Sequence, residues 1–234
     1  MTLQEKNTKT SQMTNWRRNT EQELKCYDLL LTDPELASIE RERCRRDPVH
    51  WLENWVWTLD AHDSEEPVRR FPKREYLRRL TTIWQREKLL LIPKSRQMMV
   101  SWLITALYLH DAQFNPGRFI FFQSKKEKDA DSLVDRAKFI YNNQPYFLRE
   151  PAKQVYCELA FPRINSIIRG IPQGGNQIRM HTASGIFMDE AAFMFEAGEA
   201  FTAAKPSIDG GGRITMVSSA NPGFFEMLVN DRLT

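Results

Sequence analysis

The sequence predicts an α/β fold, a mainly parallel central sheet flanked by helices, with a small helical segment at its N-terminal side. Three observations lead there. Short apolar runs such as 88–93 (KLLLIP) and 118–123 (RFIFFQ) alternate with longer stretches of helical periodicity. The runs are continuous in hydrophobicity, as strands buried on both faces of a parallel sheet are. Of the 234 residues 41% are hydrophobic and 27% charged, ordinary values for a globular chain able to bury one sizeable core and a small appendage.

Taken in order, residues 1–20 are polar and uncapped and are expected to be disordered. Residues 21–66 form the helical N-terminal segment and its connector. The pattern is helical from Glu21 to Leu59, and Thr32-Asp33-Pro34-Glu35 is a helix start, with Pro34 where no amide donor is needed. Asp47-Pro48 repeats the device, and Trp51 and Trp55 of the following aromatic run share one face that docks on the next domain. The polar stretch from Asp60 to Pro67 reads as the connector. Residues 67–234 are the main domain. Its predicted strands are 88–93, 118–123, 185–188 and 214–217, and its helices 101–113 and 126–141, the latter with Leu133, Val134, Ala137 and Ile140 on its apolar face. A hairpin is expected from 164–171 and 176–181, turned at Gly174-Gly175.

Composition sets limits on function. The formal charge of +3 is too small to indicate a nucleic-acid partner by itself. Cys26, Cys44 and Cys157 are scattered, odd in number and without zinc-like spacing, which reads as reduced thiols in a cytoplasm. The four histidines have no metal-ligand spacing, and no Ser-His-Asp arrangement is present. No apolar run is long enough to span a bilayer, so no membrane role is expected.

Chemistry concentrates in two places. Gly185-Ile-Phe-Met-Asp189-Glu190 is an apolar strand that ends in two adjacent acids. Two readings stay open: the acids cap a helix that begins at Ala191, or they hold a hydrated cation and polarise water at the carboxyl end of a strand. The segment Leu89 to Ser101 (LLLIPKSRQMMVS) runs from a strand into a helix, where phosphate loops belong, yet it has no glycine and Val100 precedes the serine. It is either a phosphate loop or a basic strand-to-helix turn. Basic residues also cluster at Arg41, Arg43, Arg45 and Arg46 and at Arg69, Arg70, Lys73, Arg74, Arg78 and Arg79, faces that suit DNA phosphate or simply solvent.

The string Lys94-Ser95-Arg96-Gln97-x-x-x-Ser101 resembles the deviant Walker A of tailed-bacteriophage large terminases, in which the lysine stands at the start of the loop. Met98 and Met99 depart from that pattern, because a glycine is common there. The resemblance covers roughly residues 47–223 and implies an ASCE-type P-loop NTPase that binds ATP and Mg2+. It implies that Lys94 contacts phosphate, that the loop from Ser95 through Arg96, Gln97, Met98, Met99 and Val100 cradles it, and that Ser101 and Asp189 hold magnesium. Glu190 then activates water. The segment around Arg74 stands where the family recognises adenine. Met216-Val-Ser218-Ser219-Ala-Asn221-Pro222 is similar to the family's coupling motif, with Ser218, Ser219 and Asn221 sensing the γ-phosphate. Arg179, ten residues ahead of Asp189, matches an arginine that reaches a neighbour's ATP; a surface arginine on a hairpin is the alternative.

The implied role is a packaging motor that moves double-stranded DNA into a procapsid. Its implied partners are a portal protein, a small terminase subunit and other copies of itself in a homo-oligomeric ring. Its implied place is the host cytoplasm and, transiently, the procapsid. A full large terminase also carries a nuclease domain after the motor; this chain stops at Thr234 and nothing in it supports nuclease activity. Two rivals stand beside the motor reading: a helicase-like translocase, which usually has a glycine-rich loop, and a non-hydrolysing assembly scaffold built on a degenerate nucleotide pocket.

Overall fold

The computed structural model describes residues 21–60, 65–174, 178 and 183–230. The expected disordered stretch 1–20 lies outside them. The N-terminal helices are α1 (Glu21–Thr32), α2 (Pro34–Arg46) and α3 (Pro48–Trp55). Both predicted starts are realised: Asp33 Oδ1 accepts from the amides of Glu35 and Leu36, Asp47 Oδ1 accepts from that of His50, and a proline follows each cap.

The helical pattern ends earlier than Leu59. Trp57–Leu59 is a strand, β1, paired antiparallel with β2 (Val68–Arg70), and Asp60 N donates to Pro67 O at 2.6 Å beyond the pair; residues 61–64 of the expected connector lie outside the described residues. The β-branched and aromatic residues Val56, Trp57 and Thr58 suit a strand better than a further helical turn.

The main sheet has the order β3-β9-β8-β4-β7-β6-β5. Its strands are β3 (Leu89–Pro93), β4 (Phe119–Ser124), β5 (Lys153–Val155), β6 (Glu158–Phe161), β7 (Ser166–Pro172), β8 (Gly185–Asp189) and β9 (Arg213–Ser218). The first five in spatial order pair parallel, and β6 and β5 complete the sheet antiparallel. Five of these strands lie where sequence placed them; β5 and β6 are short and were not anticipated. The expected hairpin of 164–171 with 176–181 does not form, because β4 and β6 take both edges of β7. Most of 176–181 lies outside the described residues, and Ile178 within it is helical and buried.

Helices α4 (Glu75–Arg86), α5 (Val100–Phe114) and α6 (Glu127–Asn142) cover one face; α7 (Ala197–Asp209) and α8 (Phe224–Val229) cover the other. The two-residue period of the strands sorts the core accordingly. Ile120, Phe122 and Phe187 join α5 and α6 in one cluster, while Phe121, Ile186 and Met188 join α7 in the other. Helix α5 is apolar nearly all round because sheet, α6 and the N-terminal helices enclose it.

The aromatic segment is part of this core. Trp51 is fully buried, and its indole donates to Gln144 Oε1 at 2.9 Å, where the buried amides of Gln113 and Gln144 also bond each other. Such a network satisfies the polar groups that the docking of α3 removes from water. His110 stacks edgewise on Trp51 at 5.2 Å and donates from Nε2 to the Cys44 carbonyl at 2.8 Å.

Burial lowers the pKa of His110 from 6.5 to about 4. The folded state therefore binds fewer protons than the unfolded one between these values, and stability is lost as pH falls through that window. The loss attributable to this residue is at most about 3 kcal/mol. His110→Gln, which keeps a donor toward Cys44, should flatten the fall of melting temperature between pH 6.5 and 4. Superimposable pH profiles for variant and wild type would contradict the assignment.

Candidate phosphate and metal site

Parallel pairing sets the geometry. Pro93 of β3 lies opposite Ser218 of β9, and Asp189 of β8 lies opposite Val217, so three carboxyl ends open at one edge. The residues that leave those strands are Lys94, the Ser218–Asn221 turn and the Asp189-Glu190 pair. The Lys94 amide donates to Ser218 O at 2.9 Å, which fixes where the loop departs.

Side-chain hydrogen bonds join the sequence-predicted residues. Lys94 Nζ donates to Glu190 Oε1 at 3.0 Å, with the lysine side chain 9% exposed and the glutamate 40%. Ser101 Oγ donates to Asp189 Oδ1 at 2.8 Å. The turn after β9 closes on the same glutamate: Ser219 Oγ donates to Glu190 Oε2 at 3.1 Å, and its amide approaches at 3.4 Å. Ser218 Oγ accepts from the Ala192 amide at 3.1 Å, and Asn221 Nδ2 donates to Ala192 O at 2.9 Å. Thus Lys94, Ser101, Asp189, Glu190, Ser218, Ser219 and Asn221 form one connected cluster.

The two acids are driven in opposite directions. Burial raises the pKa of Asp189, only partly offset by the Ser101 hydrogen bond and the nearby Arg136. Burial also pushes Glu190 upward, but the Lys94 hydrogen bond and charge, with the help of Ser219, outweigh it and leave Glu190 below its ordinary value. The adjacent carboxyls are thus held in divergent environments. The helix-cap reading of the pair does not hold. Residues Ala191–Phe193 make only a 3₁₀ turn, no side chain caps it, and the α-helix starts at Ala197. Glu190 itself stands in the left-handed region at φ 53°.

The loop reaches a cradle-like path without glycine. Gln97 and Met99 have φ of 61° and 56°, conformations that a Cβ atom disfavours by roughly 1–2 kcal/mol each. Met99 precedes α5 and gives its amides no side-chain cap, so the first-turn donors of a fifteen-residue helix face the loop. Tyr76 of α4 donates its hydroxyl to Met98 O at 3.1 Å and braces the turn. Val100, in the slot where a lysine usually stands, is 4% exposed and packed in the core.

Lys94, Gln97, Met98, Met99, Val100 and Ser101 line a cleft of about 530 Å³, together with Pro72, Arg69, Arg70, Trp102 and Arg136. Ser95 and Arg96 are exposed and do not line it. Arg74 is not brought to it either; it stands at the N-cap of α4 beside a shallow crevice with Glu53 and Arg78. Arg179 lies outside the described residues. Ser101 Oγ and Asp189 Oδ1 are adjacent hard oxygens, the donor type magnesium requires, so this part of the cluster fits the ion. Of the basic clusters, Arg45 and Arg46 both bond Glu42, Arg41 bonds the Leu148 carbonyl and Glu150, and Arg78 bonds Glu53. Arg136 and Tyr76 were missed from sequence. For Arg136 a signal existed, since a basic residue at 136 interrupts the apolar face of 133, 137 and 140.

No protein-family model and no curated protein matches the sequence. Solved structures do match by fold. The HK97 bacteriophage large terminase aligns with a TM-score of 0.61 at 11% identity, over 81% of this chain and 41% of that one. The large terminase ATPase domain of Thermus phage P74-26 aligns with a TM-score of 0.51 at 14% identity, over 62% of this chain and 66% of that one. The large terminase of a thermophilic bacteriophage, solved in complex with ADP, aligns with a TM-score of 0.50 at 14% identity, over 68% of this chain and 43% of that one. This chain covers less than two thirds of each of these proteins. The chain has the α/β fold of phage large terminase ATPase domains.

Proposed function

We propose that this chain is the ATP-hydrolysing motor domain of a phage large terminase, and that it couples hydrolysis to translocation of double-stranded DNA into a procapsid. The observation that carries the reading is the convergence of Lys94, Glu190 and Ser219 beside the Ser101–Asp189 pair, on the fold of terminase ATPase domains. The relative solved with ADP supports nucleotide as the ligand.

In this reading Lys94 and the loop amides receive the β- and γ-phosphates. Ser101 and Asp189 hold magnesium, which when bound neutralises phosphate charge. The Lys94–Glu190 pair is the resting arrangement: a triphosphate draws Lys94 onto its oxygens and releases Glu190, which loses the contact that held its pKa down and so becomes the stronger base toward the attacking water. Ser219 touches Glu190 and Asn221 bonds the turn just beyond that acid, so loss of the γ-phosphate reaches the Ser218–Asn221 segment directly. Arg179 of a neighbouring copy is the proposed trans cation, which requires a homo-oligomeric ring. The portal protein and small terminase subunit are the proposed partners, and the host cytoplasm and procapsid the proposed location. No described helix is long and apolar enough to cross a membrane.

A glycine-free, strained loop favours a second reading, a nucleotide-docking scaffold without turnover. Magnesium-dependent ATP hydrolysis at high protein concentration separates the two. Lys94→Ala and Glu190→Gln should each lower turnover by roughly 10²-fold or more. Equal turnover in all three proteins would show the site to be misplaced, and none in any, even with portal and DNA added, would favour the scaffold.

Loop strain makes a separate prediction. Gln97 is exposed and left-handed, so Gln97→Gly should raise stability by up to about 1 kcal/mol, or a melting temperature higher by about 2–4 °C. A lower melting temperature would mean that the side chain holds the turn.

A further inference from the structure

We propose that Arg136 is a second phosphate-binding cation, supplied by the same subunit and directed at the terminal phosphate of a bound nucleoside triphosphate. This rests on the nucleotide-binding reading above and adds to it a residue that the loop motif does not contain.

Arg136 belongs to α6, whose Leu133, Val134, Ala137 and Ile140 are buried in the core. A charged residue on that face needs a reason, because burying a guanidinium without partners is among the costliest choices a fold can make. Its guanidinium carbon stands 5.0 Å from the ring centroid of Trp102, the residue after Ser101, and that stacking carries the stem across the start of α5. Beyond the ring it lines the same cleft as Lys94 and the loop from Gln97 to Ser101. Nη1 is shut off from solvent and has no hydrogen-bond partner among the described residues.

An arginine recruited only for packing would saturate its donors on nearby carbonyls, as Arg149 does on those of Asn142 and Gln144. Arg136 leaves Nη1 without a partner, and the residue itself lines the cleft. Its charge is felt at Asp189, whose Oδ1 already accepts from Ser101. Two cations therefore bracket the site, Lys94 on the Glu190 side and Arg136 on the Asp189 side. A polyphosphate between them would complete the Arg136 fork, for which the planar guanidinium is well shaped. A diphosphate shorter by one group would use it less.

The test is calorimetric binding of Mg–ADP and of a non-hydrolysable Mg–ATP analogue to wild type, Arg136→Met, Arg136→Lys and Lys94→Ala, with melting temperatures of each. Arg136→Met should weaken the triphosphate analogue roughly 10- to 100-fold, and ADP much less. Arg136→Lys should recover part of the loss. The melting temperature of Arg136→Met should hold or rise, because a half-buried charge with an unsatisfied donor is gone while an apolar side chain still covers Trp102. A lower melting temperature with an unchanged ratio of the two affinities would make the residue structural and overturn the proposal. Unchanged triphosphate affinity beside a weakened Lys94→Ala would overturn it and leave the nucleotide site standing. No binding of either nucleotide to wild type would overturn it together with the reading beneath it.

Discussion

The placement of β9 between β3 and β8 governs the rest of the site. Neighbouring strands lie about 4.8 Å apart, so one inserted strand holds the loop strand and the acid strand roughly 10 Å from each other. Direct pairing of β3 with β8 would press Lys94 against the acids and leave no room for a phosphate group. With β9 between them, Lys94 must reach across the end of that strand to Glu190, and it meets Ser219 on the same carboxylate. The strand that makes the gap thus also leads into the turn that contacts Glu190.

The displaced lysine follows from packing. Position 100 opens α5 and points into the core, where Val100 is welcome and an ammonium is not. The positive charge comes instead from Lys94 at the start of the loop, where the chain leaves β3 and Glu190 pairs with the ammonium. The absence of glycine has a price in backbone strain at Gln97 and Met99. Tyr76 on one side and the buried helix α5 on the other hold that strain in place, a pattern common where geometry serves a ligand.

Much of this was legible in the sequence, for reasons that are local. Asp33-Pro34 and Asp47-Pro48 announce helix starts because cap and proline act on adjacent residues. Continuous apolar runs marked the buried parallel strands because both faces of β4, β8 and β9 are covered. The short strands β5 and β6 escaped, since three or four residues carry too little periodicity. That β7 pairs with β6, and not with residues 176–181, is decided by the sheet's other strands. The cluster of Lys94, Ser101, Asp189 and Glu190 could be read in outline, but the lysine–glutamate contact joins residues 96 positions apart. Arg74 was placed near the site by its position in the chain, whereas its side chain belongs to another crevice. Arg136 was missed because it comes from a helix with no motif, and its charge on the apolar face was the one sign of it.

The central claim is that Lys94 exchanges Glu190 for phosphate. A crystal structure of the chain with magnesium and a non-hydrolysable ATP analogue tests it most directly. The account predicts the Lys94 ammonium within hydrogen-bond distance of a phosphate oxygen and withdrawn from Glu190. A nucleotide bound elsewhere, with the 3.0 Å contact between Lys94 and Glu190 intact, would contradict it.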